Sequence, residues 1–281
     1  MIVGADGNKL PFHNVITSFN ETGYKRYGKA FVDSFLKYWP RRSVRLNIFY
    51  EGEEFEFTEG ASWIPMESVE HLPPFMRNLR FPIMQGIVAD KHDMWFDARQ
   101  CRKVFMEMYA LKKWGGKIFW MDSDCITHSE VPEGFLDEML PNDKFCCYLG
   151  RDGWYHTESG FIGFNGDHPT ASRFYGIYIN SVISGAFLAN QVHGRPGWND
   201  CCVFDAVRHL LGNGPEFLNL AQGLPAGTMH PFINTVLGKY IDHLKGPRKG
   251  SNRSPDKDLV VHRDEPHWNE EWIKPDSSAQ I

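Results

Sequence analysis

Between Asn14 and Tyr50 the hydrophobic pattern changes period twice. Asn14-Val15-Ile16-Thr17-Ser18-Phe19 is a β-branched run ending in polar and aromatic residues, which predicts a buried strand. Asn20-Glu21-Thr22-Gly23 predicts a loop. From Tyr27 to Tyr38, apolar residues at 27, 30, 31, 35 and 38 recur at helical spacing, and Pro40 stops the helix. Arg45–Tyr50 (RLNIFY) then returns to strand, turned by Glu51-Gly52-Glu53. Strand, helix and strand in so short a stretch predict a βαβ unit, and with it a parallel sheet.

The rest of the chain extends this pattern. Residues 51–95 hold Pro65, Pro73, Pro74 and Pro82 and predict loops with short pieces of structure. Asp97–Trp114 predicts a helix with Val104, Met108 and Leu111 on one face, ended by Gly115-Gly116. Lys117–Met121 (KIFWM) predicts a third strand whose end faces solvent. Phe145–Gly150 and Ser159–Asn165 predict further strands, and 170–189 and Asp200–Leu211 predict helices. With 281 residues and no linker, one α/β domain over 1–250 is expected. Residues 251–281 are expected to form an extension packed on it or trailing from it, with a frayed end.

Composition removes several function classes. Apolar residues make up 42% and charged residues 23%, so a core can form. Thirty basic against 35 acidic residues give a net charge of -5, which opposes a surface built throughout for nucleic acid. No apolar run reaches membrane-span length, and MIVGADGNKLPF lacks the form of a secretory signal. The six cysteines include no CxxC pair, so reduced buried thiols in a cytoplasmic protein are expected.

Two segments carry chemistry. Asp122-Ser123-Asp124 follows KIFWM directly. Two carboxylates one residue apart at a strand end can approach one Mn²⁺ or Mg²⁺, and the metal can hold a diphosphate; a solvated turn is the plainer alternative. His243-Leu244-Lys245-Gly246-Pro247-Arg248-Lys249 places an imidazole, a glycine and three cations in seven residues. His243 offers a third ligand, Gly246 lets backbone approach a phosphate, and Lys245 or Lys249 neutralises it; a basic surface loop is the alternative.

With DSD at 122–124 and His243, Gly246 and Lys249 in the spacing H-x-x-G-x-x-K, the chain resembles the GT-A-fold glycosyltransferases. The likeness is to glycosyltransferase family 8 and related viral and bacterial sugar transferases. It runs from Val15 to Lys249 and is dense only at these motifs. It implies a Rossmann-like mixed sheet flanked by helices. It also implies hexosyl transfer from a nucleotide-diphosphate sugar, first a UDP-linked one, to an acceptor hydroxyl with retention of configuration. Asp122, Asp124 and His243 would hold the metal, and Lys249 the diphosphate. Thr17, Ser18, Phe19 and Asn20 would meet the nucleoside, with Phe19 or Tyr24 stacking on the base. Lys103, beside Arg99 and Arg102, would contact the sugar.

Two departures mark this chain. Gly250-Ser251 follows the lysine where the family has Pro and Trp, and Asp200-Cys201 stands where family 8 has an Asp-Gln pair. Asp200 is then an acceptor-side or catalytic candidate, unless it only caps its helix. Trp198 could pack on a sugar ring, and Glu158 is a second acceptor-side carboxylate. The acceptor could be a glycan, a small molecule or a hydroxymethylated DNA base, the last touched by the basic segment Lys245–Arg253. A non-catalytic nucleotide-sugar-binding protein would not need to keep both motifs. A nucleotidyltransferase would carry a Gly-rich basic loop after its first strand, which Phe19–Gly23 does not supply.

Overall fold

The computed structural model describes residues 12–52, 57–78, 98–151, 156–192 and 195–273. The N-terminal stretch, the loops expected within 53–56 and 79–97, and the frayed end lie outside the described residues, as does the side chain of Arg99.

The predicted βαβ unit is present. Strand β1 (His13–Asn20) and β2 (Val44–Glu51) pair in parallel, joined by helix α1 (Lys29–Tyr38). The loop expected after β1 is instead one helical turn, Glu21–Gly23, capped by the Asn20 side chain, and it runs into a π-helical turn, Tyr24–Gly28. β3 (Ser62–Pro65) extends the sheet beyond β2, and α2 (Leu72–Asn78) follows. Helix α3 (Arg102–Trp114) leads through Gly115 and Gly116, both at positive φ, into β4 (Lys117–Met121). Only glycine takes two such residues in succession without strain, so the helix ends there and the chain reverses.

β4 lies parallel to β1 on the side away from β2. The short β5 (Cys125–Thr127) leaves the sheet, α4 (Phe135–Met139) follows, and β6 (Cys146–Leu149) leads to β7 (Glu158–Asn165). β7 inserts antiparallel between β4 and β6. The helix expected over 170–189 breaks at Ser184-Gly185 into α5 (Thr170–Ile183) and a 3-10 turn. The two-residue strands β8 (Gln191–Val192) and β9 (Arg195–Pro196) pair just before α6 (Asp200–Leu210). β10 (Phe217–Asn219) closes the far edge, giving a mixed seven-stranded sheet in the order β10-β6-β7-β4-β1-β2-β3. After α7 (Pro231–Asn234), β11 (Ile241–His243) pairs with β5 outside that sheet, and α8 (Pro266–Asn269) comes last.

Strand alternation sorts the core into two layers. On β4, Ile118 and Trp120 face α3, α5 and α6, while Phe119 and Met121 face α1, α4 and α7. Burying each such side chain stabilises the fold by about 1.5–3 kcal/mol. All five β4 residues are buried, including Lys117, whose amine pairs with Asp137 at 2.6 Å. Residues 251–273 pack on this body: Trp268 is 4% exposed and donates to the Gly238 carbonyl at 2.8 Å. No helix among the described residues is long and apolar enough to cross a membrane.

Candidate active site

The ends of β1 and β4, the start of β7 and the N-terminus of α6 surround a cavity of about 590 Å³. Sites in open α/β sheets lie beyond the carboxyl ends of strands, which is where this cavity opens. Its floor comes from the chain after β4. The Cys125 N–H donates to the Asp122 carbonyl, turning Asp122-Ser123-Asp124 back into β5. β5 then pairs with β11, setting His243 opposite Cys125, and the Leu244 N–H donates to the Asp124 carbonyl at 2.9 Å. A two-stranded ladder thus joins the two motifs. His243 Nε2 lies 3.2 Å from Asp124 Oδ1 and 3.7 Å from Asp122 Oδ2.

Asp124 is 6% exposed, which corrects the expectation of a solvent-facing strand end. Burial opposes its charge, but His243 and Lys249 outweigh it and hold the carboxyl well below its usual range. The Lys249 amine is 3.0 Å from Asp124 Oδ2 and sits over the Tyr27 ring at 4.6 Å. Burial also works against a charged His243, yet Asp124 and Glu158 raise its pKa to about 9. Desolvation lifts the Asp122 carboxyl and Asp124 adds to this, against the pull of Lys103. The Trp120 indole donates to Asp122 Oδ1 at 2.6 Å.

A second charged group lines the opposite wall. Lys103, 4% exposed, pairs with Asp200 at 3.3 Å, approaches Asp122 at 4.0 Å and donates to the Ser159 carbonyl. Glu107, one turn on, is fully buried, and desolvation pushes its pKa up to about 8. This buried carboxyl backs the Lys103–Asp200 pair, and its desolvation favours the neutral form.

The sequence-predicted residues divide clearly. Ser18, Phe19, Asn20, Lys103, Asp122, Asp124, Glu158, Asp200, His243, Lys245, Gly246 and Lys249 all line the cavity. Thr17 does not: it is fully buried within β1, so a base edge cannot reach it. Phe19 and Tyr24 stack on each other at 5.2 Å and meet Trp63, and a Cβ on Gly28 would lie 3.0 Å from the Phe19 ring. Both rings are packed into the core; Phe19 also reaches the cavity wall, while Tyr24 does not line the cavity. The Asn20 side chain accepts from the Gly23 N–H at 2.8 Å.

Asp200 is not the cap of α6; Asn199 is, its side chain accepting from the Cys202 N–H at 3.0 Å. Trp198 does not line the cavity, and its indole donates to the Leu188 carbonyl at 2.8 Å. Glu158 faces His243, His230, Lys245 and Arg151 instead of an open acceptor side. The basic segment also turns inward: Arg248 pairs with Asp258 at 2.5 Å and Arg253 with Asp256 at 2.7 Å, which leaves a DNA backbone little to meet. Tyr27, Arg151 and Asn199 line the cavity without having been singled out, since none lies in a motif.

The donor set fits a divalent ion. His243 Nε2 is buried without a well-aligned hydrogen-bond partner and points between two carboxylates. Carboxylate oxygens and an imidazole nitrogen are donors a divalent cation can take, and the ligand atoms of Asp124, Cys125 and His243 lie within 4.8 Å of one another.

No protein-family profile matches the chain, and no curated protein sequence matches it. Solved structures similar to it include glycosyltransferases. Mouse xyloside xylosyltransferase 1 is 15% identical at a TM-score of 0.45, over 75% of this chain and 85% of that one. A glycosyltransferase involved in glycosylation of the major capsid of PBCV-1 is 12% identical at 0.46, over 85% and 96%. GlyE of Streptococcus pneumoniae TIGR4 is 12% identical at 0.42, over 75% of this chain but 45% of its own.

Proposed function

We propose that the chain is a metal-dependent glycosyltransferase that moves a sugar from a nucleotide-diphosphate donor, first a UDP-linked one, to an acceptor hydroxyl. The observation that carries this reading is the convergence of His243 Nε2 on Asp122 and Asp124, with Lys249 beside them at the cavity floor. Asp122, Asp124 and His243 would hold Mn²⁺. When bound, the ion supplies positive charge where the leaving diphosphate gathers electrons.

Lys249 and the Gly246 backbone would grip that diphosphate, while Ser18 and Asn20 face its nucleoside end. Lys103 would hold the donor sugar, fixed in place by Asp200 and the Ser159 carbonyl. The bond from anomeric carbon to phosphate oxygen breaks, its electron pair leaving with the diphosphate, and the acceptor oxygen bonds to that carbon. Asp200 would orient the acceptor hydroxyl and receive its proton. Retention of configuration rests on the resemblance to family 8 alone.

Titration calorimetry with Mn²⁺ and nucleoside diphosphates tests the donor half. Lys249→Ala should weaken diphosphate binding by about 1.5–3 kcal/mol, the worth of a charge-assisted hydrogen bond. Unchanged affinity would make Lys249 no more than a partner for Asp124.

A further inference from the structure

The two nitrogens of His243 face different partners. Nε2 is turned to Asp124 and Asp122, and Nδ1 meets Glu158 Oε1 at 2.9 Å. Glu158 opens β7, and Gly160, two residues on, shares its face of the strand. The imidazole sits on that glycine: a Cβ there would stand 2.5 Å from His243 Cε1 and 2.8 Å from Nδ1. Carboxylate and glycine together make a seat for the ring.

Glu158 is itself held from several sides. Oε1 is 3.1 Å from the Lys245 amine and 3.6 Å from His230 Nε2, and Oε2 is 3.2 Å from Arg151. Ligand atoms of Glu158, His230 and His243 lie within 4.8 Å of one another, a spacing that would admit a second cation. Lys245 and Arg151 already give this carboxylate its positive charge, so the group it serves is the imidazole.

We propose that Glu158 is the positioning residue of His243. Its carboxylate accepts the Nδ1–H, and Gly160 gives the ring room, so the Nε2 lone pair turns toward the metal that Asp122 and Asp124 would hold. This rests on the metal-dependent reading above. A carboxylate behind a metal-binding imidazole fixes its tautomer and ring angle, and losing it typically lowers metal affinity about 10–100-fold.

Mn²⁺ binding to the full chain, followed by electron paramagnetic resonance without nucleotide, supplies the first readout. Glu158→Ala should weaken it about 10–100-fold, while Glu158→Gln, whose amide oxygen still accepts from Nδ1, should restore most of the loss. Nitrogen-15 spectra of the histidines give a readout that needs no metal. The wild type should show a protected His243 Nδ1 proton, absent in Glu158→Ala. Should that variant fail to fold with Arg151 and Lys245 unpaired, Gly160→Ala asks the same question by displacing the ring, and should weaken Mn²⁺ to a similar extent. Folded Glu158→Ala or Gly160→Ala protein that binds Mn²⁺ like the wild type overturns the seat. Wild-type Mn²⁺ binding indifferent to Asp124→Asn overturns the metal site itself, a separate failure.

Discussion

Asp205 shows how single side chains tie the cavity walls together. On α6, it accepts from the Thr157 N–H at 2.8 Å and the Thr157 hydroxyl at 2.7 Å, and it pairs with His156 at 3.0 Å and Arg208 at 2.8 Å. It thereby pins the residue before Glu158 to the helix that carries Asp200. Burial opposes its charge, but His156 and Arg208 pull its pKa down to about 2. Burial likewise opposes charge on His156, yet Asp205 and Cys202 raise it to about 9 from 6.5. A histidine raised in the folded state stabilises fully below the unfolded pKa, and that contribution is lost as pH rises through about 9. Asp205→Asn should therefore cost about 3–5 kcal/mol near pH 6, and its deficit should narrow toward pH 10. Urea denaturation of both proteins across that range checks it; a deficit independent of pH would mean the pair carries no linked proton. Asp200→Asn separates the two halves of transfer. Asn199 caps the helix, so α6 keeps its start. The change takes the charge from the partner of buried Lys103, however, and should lower both Tm and donor affinity. Transfer from saturating donor should fall further, by about 10²–10⁴-fold, if Asp200 is the base. Full transfer would remove Asp200 from the chemistry.

At the scale of elements, the β5–β11 ladder is what brings His243 to Asp122 and Asp124, and the chain after residue 250 supports that ladder. Asp242, fully buried and next to His243, accepts from the Ser254 N–H at 2.6 Å, the Ser254 hydroxyl at 2.7 Å and His267 Nε2 at 3.0 Å. Trp268 anchors the same segment against Gly238. Trp268→Ala should cost about 3–5 kcal/mol, read as a lowered Tm, with weaker Mn²⁺ binding. An unmoved Tm would mean the segment only trails from the domain. Strand β4, its DSD turn and the His243 spacing were legible in sequence because each signal is local. Which residues of β1 reach the cavity was not: Thr17 is closed off while Ser18, Phe19 and Asn20 line it, and a buried strand shows no alternation that would sort them. Whether Asp200 caps α6 was open in sequence, since Asn199 and Asp200 are both good caps and only geometry chooses Asn199. Glu158 was seen as a carboxylate but not as the partner of His243, because its contacts come from Arg151, His230, His243 and Lys245.

For the whole molecule, the sheet order explains why one cavity gathers these groups. β1 and β4 run parallel and end at the same edge, and antiparallel β7 begins there, so residues 18–20, 122–124 and 158–160 meet. Two apolar layers pack on the two faces of the sheet behind that edge. The central claim is that this edge binds a metal that a nucleotide sugar needs. Hydrolysis of a panel of nucleotide sugars, with and without Mn²⁺, tests it most directly, in wild type and in Asp124→Asn, which keeps the shape of a 6%-exposed side chain. The account predicts turnover of at least one donor by the wild type, lost on chelation, restored by Mn²⁺ and absent in the folded variant. Turnover that survives chelation and Asp124→Asn, or no Mn²⁺-dependent turnover of any donor, would contradict it.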